Sequence, residues 1–332
     1  MKPIILKTLL LTLTGLASTN FGSACVIGDY KWSQMAEKQG CFSPNCKKGQ
    51  FPMAIVPIVA FDGKLYSIGD KAVWTSADGI NWSSQPKTDW GERAGLKFAF
   101  FKNQLWMLGG MKSWDDFRND VWSSSDGRNW RQTISNAKWS PRRNHGVIVF
   151  KNRLWILGGA ESSGRSDQTP TKFLNDVWNS EDGVNWNQVT ANAPWAARNG
   201  HLSLVFDDKG GEGFGDVWSS TDGKNWTQVT AKAEWTARGG NGGLVFDGKM
   251  WIFGGVGFND VWRSSDGKHW HREFANAPWS TRSTVCSIVF NHRLWIFSGK
   301  TGRKDSWDGN VWAMSRNTVA RRERYSALGG EK

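Results

Sequence analysis

Apolar and polar residues alternate along this chain in short bursts. "HGVIVF", "RLWILGG", "DVWSS" and "NWTQVT" are rich in Val, Ile and Trp and repeat apolar character at every second place. A period of two belongs to β-strands, whose side chains point to opposite faces in turn. The four segments recur in this order as one unit. "FDGKLYSIGD", "FKNQLWMLGG", "FKNRLWILGG", "FDGKMWIFGG" and "FNHRLWIFSG" are versions of its second strand, and "FDDKGG" is a damaged version. Trp74, Trp122, Trp178, Trp218, Trp262 and Trp312 mark six copies at intervals of 40 to 56 residues. Self-similarity at such a period predicts a repeat architecture.

Turn residues separate the strands. Asp-Gly pairs at 78–79, 126–127, 182–183, 222–223 and 266–267 fall between the third and fourth strands. Asp-Gly suits a two-residue hairpin, in which both central residues need positive φ. The glycine pair ending the second strand lets the chain bend where a Cβ would clash. One copy departs from the rest. Residues 204–218, "LVFDDKGGEGFGDVW", lack a counterpart of Met250, Trp251, Ile252 and Phe253 in "LVFDGKMWIFGGVGFNDVW". The expectation is that the fourth unit loses most of one strand, with "KGGEGFG" stretched into a short, poor substitute. Two inward apolar side chains would be lost, at about 3–6 kcal/mol of burial. A four-residue deletion keeps the two-residue period, so the next strand need not flip faces.

A glycine pair after an aromatic strand, a variable loop, an aromatic strand and a late Trp together resemble the kelch-repeat family over residues 50–315. The resemblance implies an all-β, six-bladed β-propeller of four-stranded blades around a central channel. The sixth copy has no fourth strand after "NVWAMSRN" (310–317), whereas "YKWSQMAEKQG" (30–40) aligns with "KNWTQVTAKAE" (224–234), Trp32 falling on Trp226. A last blade closed by the N-terminal strand removes the open sheet edge.

Composition adds the setting. The chain has 332 residues, a net charge of +12, 38 Gly and 23 Trp. So many aromatics exclude a disordered chain. The positive balance favours anionic partners, but no helix-length patch of Lys and Arg points to nucleic acid. Residues 1–24, basic and then apolar with small residues before Cys25, read as an export signal. Gly22 and Ala24 suit signal peptidase I, and Cys25 leaves a lipid anchor open as the one route to a membrane. Residues 25–49 form a Cys-containing lead-in with the closing strand, and 316–332 a basic flexible tail. Export permits disulfides. Cys41 and Cys46 flank the turn-like "FSPN" and could pair, whereas Cys286, in an apolar strand, reads as a buried free thiol. No Cys/His spacing suits zinc, so no metal or cofactor is expected.

Two sets of residues are candidates for ligand binding. Arg93, Arg142, Arg198, Arg238 and Arg282 each stand three residues after a Trp, and Met53 holds the place in the first unit. The kelch resemblance puts this place near the channel mouth. There the arginines would form a funnel for carboxylates or sulfates, because guanidinium grips such groups with parallel hydrogen bonds. The other reading is structural, each Arg stacking on a Trp or bonding carbonyls between blades. The second set lies in the unequal loops 111–118, 160–174 and 300–309, where Trp114 and Trp307 suit a sugar face or a protein partner. His145 and His201 read as strand-start residues.

These features point to an exported, non-catalytic, monomeric propeller that binds a protein or anionic glycan through one face. Enzymes on the same architecture are the alternative. A galactose-oxidase-like site needs a tyrosine–cysteine cofactor and copper, and Tyr30, Tyr66 and Tyr325 lie beside no His pair. A sialic-acid-mutarotase-like enzyme needs a carboxylate near an arginine, for which Glu161, Asp116 and Glu212 are candidates. A surface lectin using Trp114 and Trp307 is the third reading.

Overall fold

The computed structural model describes residues 24–27, 30–36, 40–41, 51–52, 58–68, 73–85, 90–91, 93–113, 115–161, 172–207, 209–213, 215–283, 285–297, 299–301, 306–307 and 309–316. Residues 1–23, Cys46, Trp114, residues 162–171 and residues 317–332 lie outside them, and so do the expected export signal and the expected Cys41–Cys46 pairing. The described residues are strands and their connections, with no helix.

Five antiparallel sheets share one plan, four strands consecutive in the chain. The third is representative: Gly146–Phe150, Arg153–Glu161, Lys172–Ser180 and Trp186–Thr190. The first strands of the sheets neighbour one another in a cycle, Ile58–Phe61 lying against both Lys97–Phe101 and Cys286–Phe290. The sheets therefore stand around an axis as a β-propeller. Second strands are buried on both faces because each sheet is sandwiched between two others. Leu154, Trp155, Ile156 and Leu157 are all at most 4% exposed, which explains their unbroken apolar run.

The remaining large sheet joins both ends of the chain. Cys286–Phe290, Arg293–Phe297 and Val311–Arg316 come from the C-terminal part, and Tyr30–Ala36 pairs with the last of these. Trp32 faces Met314 and Gln34 faces Trp312 in this register. The equivalence of Trp32 with the fourth-strand tryptophans holds in packing too. Trp32 meets Trp279 edge-on with centroids 4.4 Å apart, as Trp130 meets Trp90 at 4.6 Å and Trp270 meets Trp235 at 4.4 Å. A fifth strand, Ala24–Ile27, pairs beyond Tyr30–Ser33. Arg316, assigned to the tail from sequence, is the last residue of a strand and bonds Asp247.

Two local expectations need correction. The tight hairpins with two positive-φ residues lie between the first and second strands, at Asp62-Gly63, Lys102-Asn103, Lys151-Asn152, Asp247-Gly248 and Asn291-His292. At the Asp-Gly pairs between the third and fourth strands only the glycine has positive φ. There the aspartate organises a longer loop. Asp182 Oδ1 accepts the N–H groups of Val184 and Asn185 at 2.8 and 2.7 Å, and Oδ2 accepts the Asn185 amide at 2.7 Å. Such side-chain capture of the backbone is the Asx alternative to a hairpin turn.

The fourth sheet also keeps all four strands. Lys209–Gly213 is five residues long and pairs on both sides, Gly211 with Leu204 and with Ser219. Its register puts Gly210, Gly211, Glu212 and Gly213 where Met250, Trp251, Ile252 and Phe253 stand in the fifth sheet. The strand survives because backbone pairing needs no side chain. What is lost is the apolar cargo, and the deletion falls on the connection to the third strand.

Two expectations follow. Amides in residues 202–220 should exchange with deuterium faster than those in 242–264, because glycines pack nothing over their hydrogen bonds; equal protection would contradict this. Acid should unfold the protein in a defined window. Burial disfavours ionisation of Asp126 and Asp182, but the backbone and Asn bonds to each outweigh it and bring both to about 2. A folded pKa below the unfolded value of about 3.9 gives stability that is complete above that value and is lost as pH falls toward 2. Melting temperature should fall across that interval, and less steeply in Asp182→Asn.

Candidate functional site

The five candidate arginines precede the innermost strands, and each is buried against its own sheet. Arg142 Nη1 and Nη2 donate to Asp176 Oδ1 and Oδ2 at 2.7 and 2.8 Å. Arg198 grips Asp216 in the same way at 2.8 and 2.9 Å. Arg93 holds Asp120, and Arg238 holds Asp260. These aspartates are those of the recurring Asp-Val-Trp. The Trp two residues on donates its Nε1–H to the same carboxylate, at 2.7 Å from Trp178 to Asp176. Arg142 Nη1 also donates to Gly158 O at 2.9 Å. The Arg142 side chain is 1% exposed. Burial opposes ionisation of Asp216, but Arg198 and Trp218 outweigh it and hold its carboxyl below the usual range.

The arginine backbone belongs to the neighbouring sheet. Arg142 N–H donates to Arg118 O at 3.0 Å, and Arg142 O accepts Gly110 N–H at 2.9 Å. Arg198 bridges Leu174 and Gly159 in the same pattern, and Arg282 bridges Phe258 and Gly255. Arg142 and Arg198 thus clasp two adjacent sheets, and an internal carboxylate answers the charge of Arg93, Arg142, Arg198 and Arg238. Arg282 is 1% exposed, and Arg142, Arg198 and Arg238 are at most 6% exposed. The geometry is that of the structural reading; a bare electropositive funnel is not what these guanidiniums present.

The channel mouth is marked by different residues. Backbones cross between sheets where Asn144 N–H donates to Gly95 O and Gly200 N–H donates to Asn144 O, both at 2.8 Å. Asn144 takes φ of 51°, a conformation glycine holds at the equivalent Gly95, Gly200 and Gly240. Beside it stands Arg143, whose place in other units is taken by Ala94, Asn199, Gly239 and Ser283. Its guanidinium lies 5.7 Å from the centre of the Phe117 ring. Asp116 and Arg118 pair at 2.6 Å on the same strand as Phe117. Bridges Ala94 to Met111, Arg143 to Ala160 and Ser283 to Lys300 tie three of the unequal loops to this end of the sheets. Lys97 opens its innermost strand just inside, and no carboxylate among the described residues pairs with it. Burial pushes its pKa down.

The other candidates are placed as follows. Glu161 ends its strand and pairs with Lys172 at 2.6 Å. Burial opposes its ionisation, but Lys172, Ser140 and Arg142 together hold its pKa down. Glu212 lies in the glycine-rich strand and Trp307 in a two-residue strand paired to Lys300. His145 is fully buried, 6.2 Å centroid to centroid from Trp139, and burial with the nearby Arg142 charge keeps it neutral. His201 lies likewise beside Trp195. Cys286, which is in no disulfide, is a thiol of intermediate exposure whose pKa burial pushes up to about 11. Among the described residues no group of three His, Cys, Asp or Glu could hold a metal.

Lys97, Arg143 and the aspartates of Asp-Val-Trp were not singled out from sequence. The aspartates recur as regularly as the arginines, and that co-recurrence was the available signal. For Lys97 and Arg143 the signal was departure from the repeat.

No family model matches the sequence, and no curated protein matches it. Among solved structures the fold is similar to that of YjhT, with a TM-score of 0.65 and 15% identity over 80% of this chain and 95% of that one. The likeness is one of β-propeller architecture.

The clasp makes a prediction that separates it from a ligand funnel. Removing one partner strands a buried charge, which typically costs about 3–5 kcal/mol. Asp176→Ala should therefore lower unfolding free energy in urea by that order, and Arg142→Met with Asp176→Leu should recover much of it. A ligand-only role for Arg142 would leave the Asp176→Ala stability unchanged.

Proposed function

We propose that this chain is an exported, kelch-like propeller of six blades, the sheet shared by both chain ends being the sixth. In this reading it binds an anionic glycan or an acidic protein segment, without catalysis, on the face that carries its unequal loops. The observation that supports the reading is Arg143 at the channel mouth. It has no copy in the repeat and stands next to Asn144 in a conformation that glycine takes elsewhere. Backbone conformations of that kind are kept where the surroundings fix them, and they gather at functional sites. Phe117 and Arg118 beside it offer an apolar ring and a second guanidinium. A guanidinium with an aromatic neighbour is suited to a carboxylate or sulfate on a sugar ring. The proposal keeps Trp114 and Trp307 as stacking residues for the ligand, and the buried arginines serve to fix the loops in place. Export through the leader, with Cys25 lipidated or not, completes the reading.

A mutarotase-like enzyme is the second reading, and Glu161 favours it. It is a carboxylate at the start of a loop on this face, and Arg142 is among the charges that act on it, which is the carboxylate-and-arginine pairing such an enzyme would use.

Sialylated and sulfated glycan arrays test the first reading. Arg143→Ala should reduce binding at least tenfold, about 1.4 kcal/mol, with an unchanged melting temperature. Trp307→Ala should weaken glycan binding as well. Binding that persists in Arg143→Ala would remove the proposal. Anomer exchange of sialic acid, followed by NMR and lost in Glu161→Gln, would replace it with the enzyme.

A further inference from the structure

The aromatic residue of each second strand has a fixed use. Its ring lies against the Asp-Gly loop of the next sheet, where only a glycine leaves room. A Cβ added at Gly183 would stand 2.2 Å from the Trp106 ring, and one at Gly223 would stand 2.2 Å from Trp155. Tyr66 meets Gly127 and Trp295 meets Gly79 in the same way. Trp251 meets Tyr30 instead, ring centroids 4.8 Å apart, because the closing sheet has a Tyr there rather than an Asp-Gly loop. The indole N–H is answered as well. Trp106, Trp155, Trp251 and Trp295 donate to the carbonyls of Phe101, Phe150, Phe246 and Phe290 at 2.9 to 3.0 Å.

One link in this relay has no ring. In the fourth sheet the register gives that place to Gly211, opposite Ser219, as Trp155 is opposite Asn179 and Trp251 opposite Arg263. On the other side, a Cβ at Gly267 would have Met250 at 3.3 Å and the valines 217 and 229 at 3.8 Å as its nearest neighbours, with no ring as close. Between the two sheets lies a cavity of about 600 Å³. Its walls are apolar, with Leu204, Phe206, Val217, Val229, Met250 and Trp270 among them, and Asn225, Thr227 and Asp266 are also in the lining. Its volume lies within the usual range of small-molecule sites, and apolar cavities of this kind take up aromatic ligands.

We propose that this cavity is a binding site for a planar aromatic heterocycle of the indole class, seated where the relay lacks its tryptophan. The Phe206 carbonyl is the acceptor for the ring N–H, since Phe206 holds the place of Phe101, Phe150, Phe246 and Phe290. The loop of Gly267 forms the floor against which the ring lies. The site is walled by scaffold residues between two sheets, so it is separate from the loop face and does not depend on the reading given to that face.

Indole is the probe, titrated into the full chain by calorimetry and ligand-observed NMR, with benzofuran as the isostere lacking the N–H. Indole should bind saturably and raise the melting temperature. Benzofuran should bind about two- to tenfold more weakly, the worth of one net hydrogen bond. Gly211→Trp should fill the cavity from within, abolish indole binding and raise stability in the absence of ligand. Met250→Phe narrows the cavity from the opposite wall and should weaken indole at least tenfold, giving a readout even if the first variant does not fold. No saturable binding to the wild-type protein at millimolar indole would overturn the proposal, as would undiminished binding in both variants. Equal affinity for benzofuran would overturn the assignment of the N–H to Phe206.

Discussion

The architecture depends on a buried arginine that belongs to two sheets at once. Its main chain is bonded into one sheet and its guanidinium into the next, where an aspartate, a glycine carbonyl and the same aspartate's Trp partner satisfy the polar groups. A charge taken out of water is tolerable only when its partner and its remaining hydrogen bonds come with it. Meeting those demands fixes the angle between sheets, the start of each innermost strand and the height at which the variable loops leave the scaffold. The arginine ring and the loop face are therefore cause and consequence. The repeated residues position the surface, and residues that break the repeat decorate it.

A second constraint runs around the outside of the first. Second-strand aromatics such as Trp106 and Trp155 seat on a glycine loop of the neighbouring sheet, and Trp251 on Tyr30, so stability is shared across interfaces and a loss stays local. That is how the fourth sheet can keep its strand while giving up most of its apolar side chains. Backbone pairing is indifferent to the substitution of Gly for Trp, whereas packing is not. The result is a complete sheet beside an unfilled space, which differs physically from a missing strand.

Much of the scaffold was legible in the chain because its rules are local or periodic. The two-residue alternation, the recurrence of Trp and the match of Trp32 to Trp226 led to four-stranded sheets and to closure by the N-terminal strand. The turns were harder. Asp-Gly at 182–183 and Asp-Gly at 62–63 are the same dipeptide, yet the first belongs to a loop built around the Asp182 carboxylate and the second to a tight hairpin. The Ser two residues before the first pair's aspartate and the Asn three residues after it make the difference, through bonds the dipeptide alone does not announce. For the candidate site the chain showed the five arginines but not their partners, because Arg142 and Asp176 are 34 residues apart and meet only across a folded sheet.

The sequence by itself determined the strand content, the repeat and the way the ends join, since those follow from side-chain period and from pairing between like units. Only the tertiary structure decided what the unequal and charged residues do. It turned four of the arginines inward onto aspartates, set Arg143 over Phe117, and opened a cavity between the fourth and fifth sheets. The physical reason is that burial and charge compensation belong to the space between sheets, and that space exists only once the ring has formed.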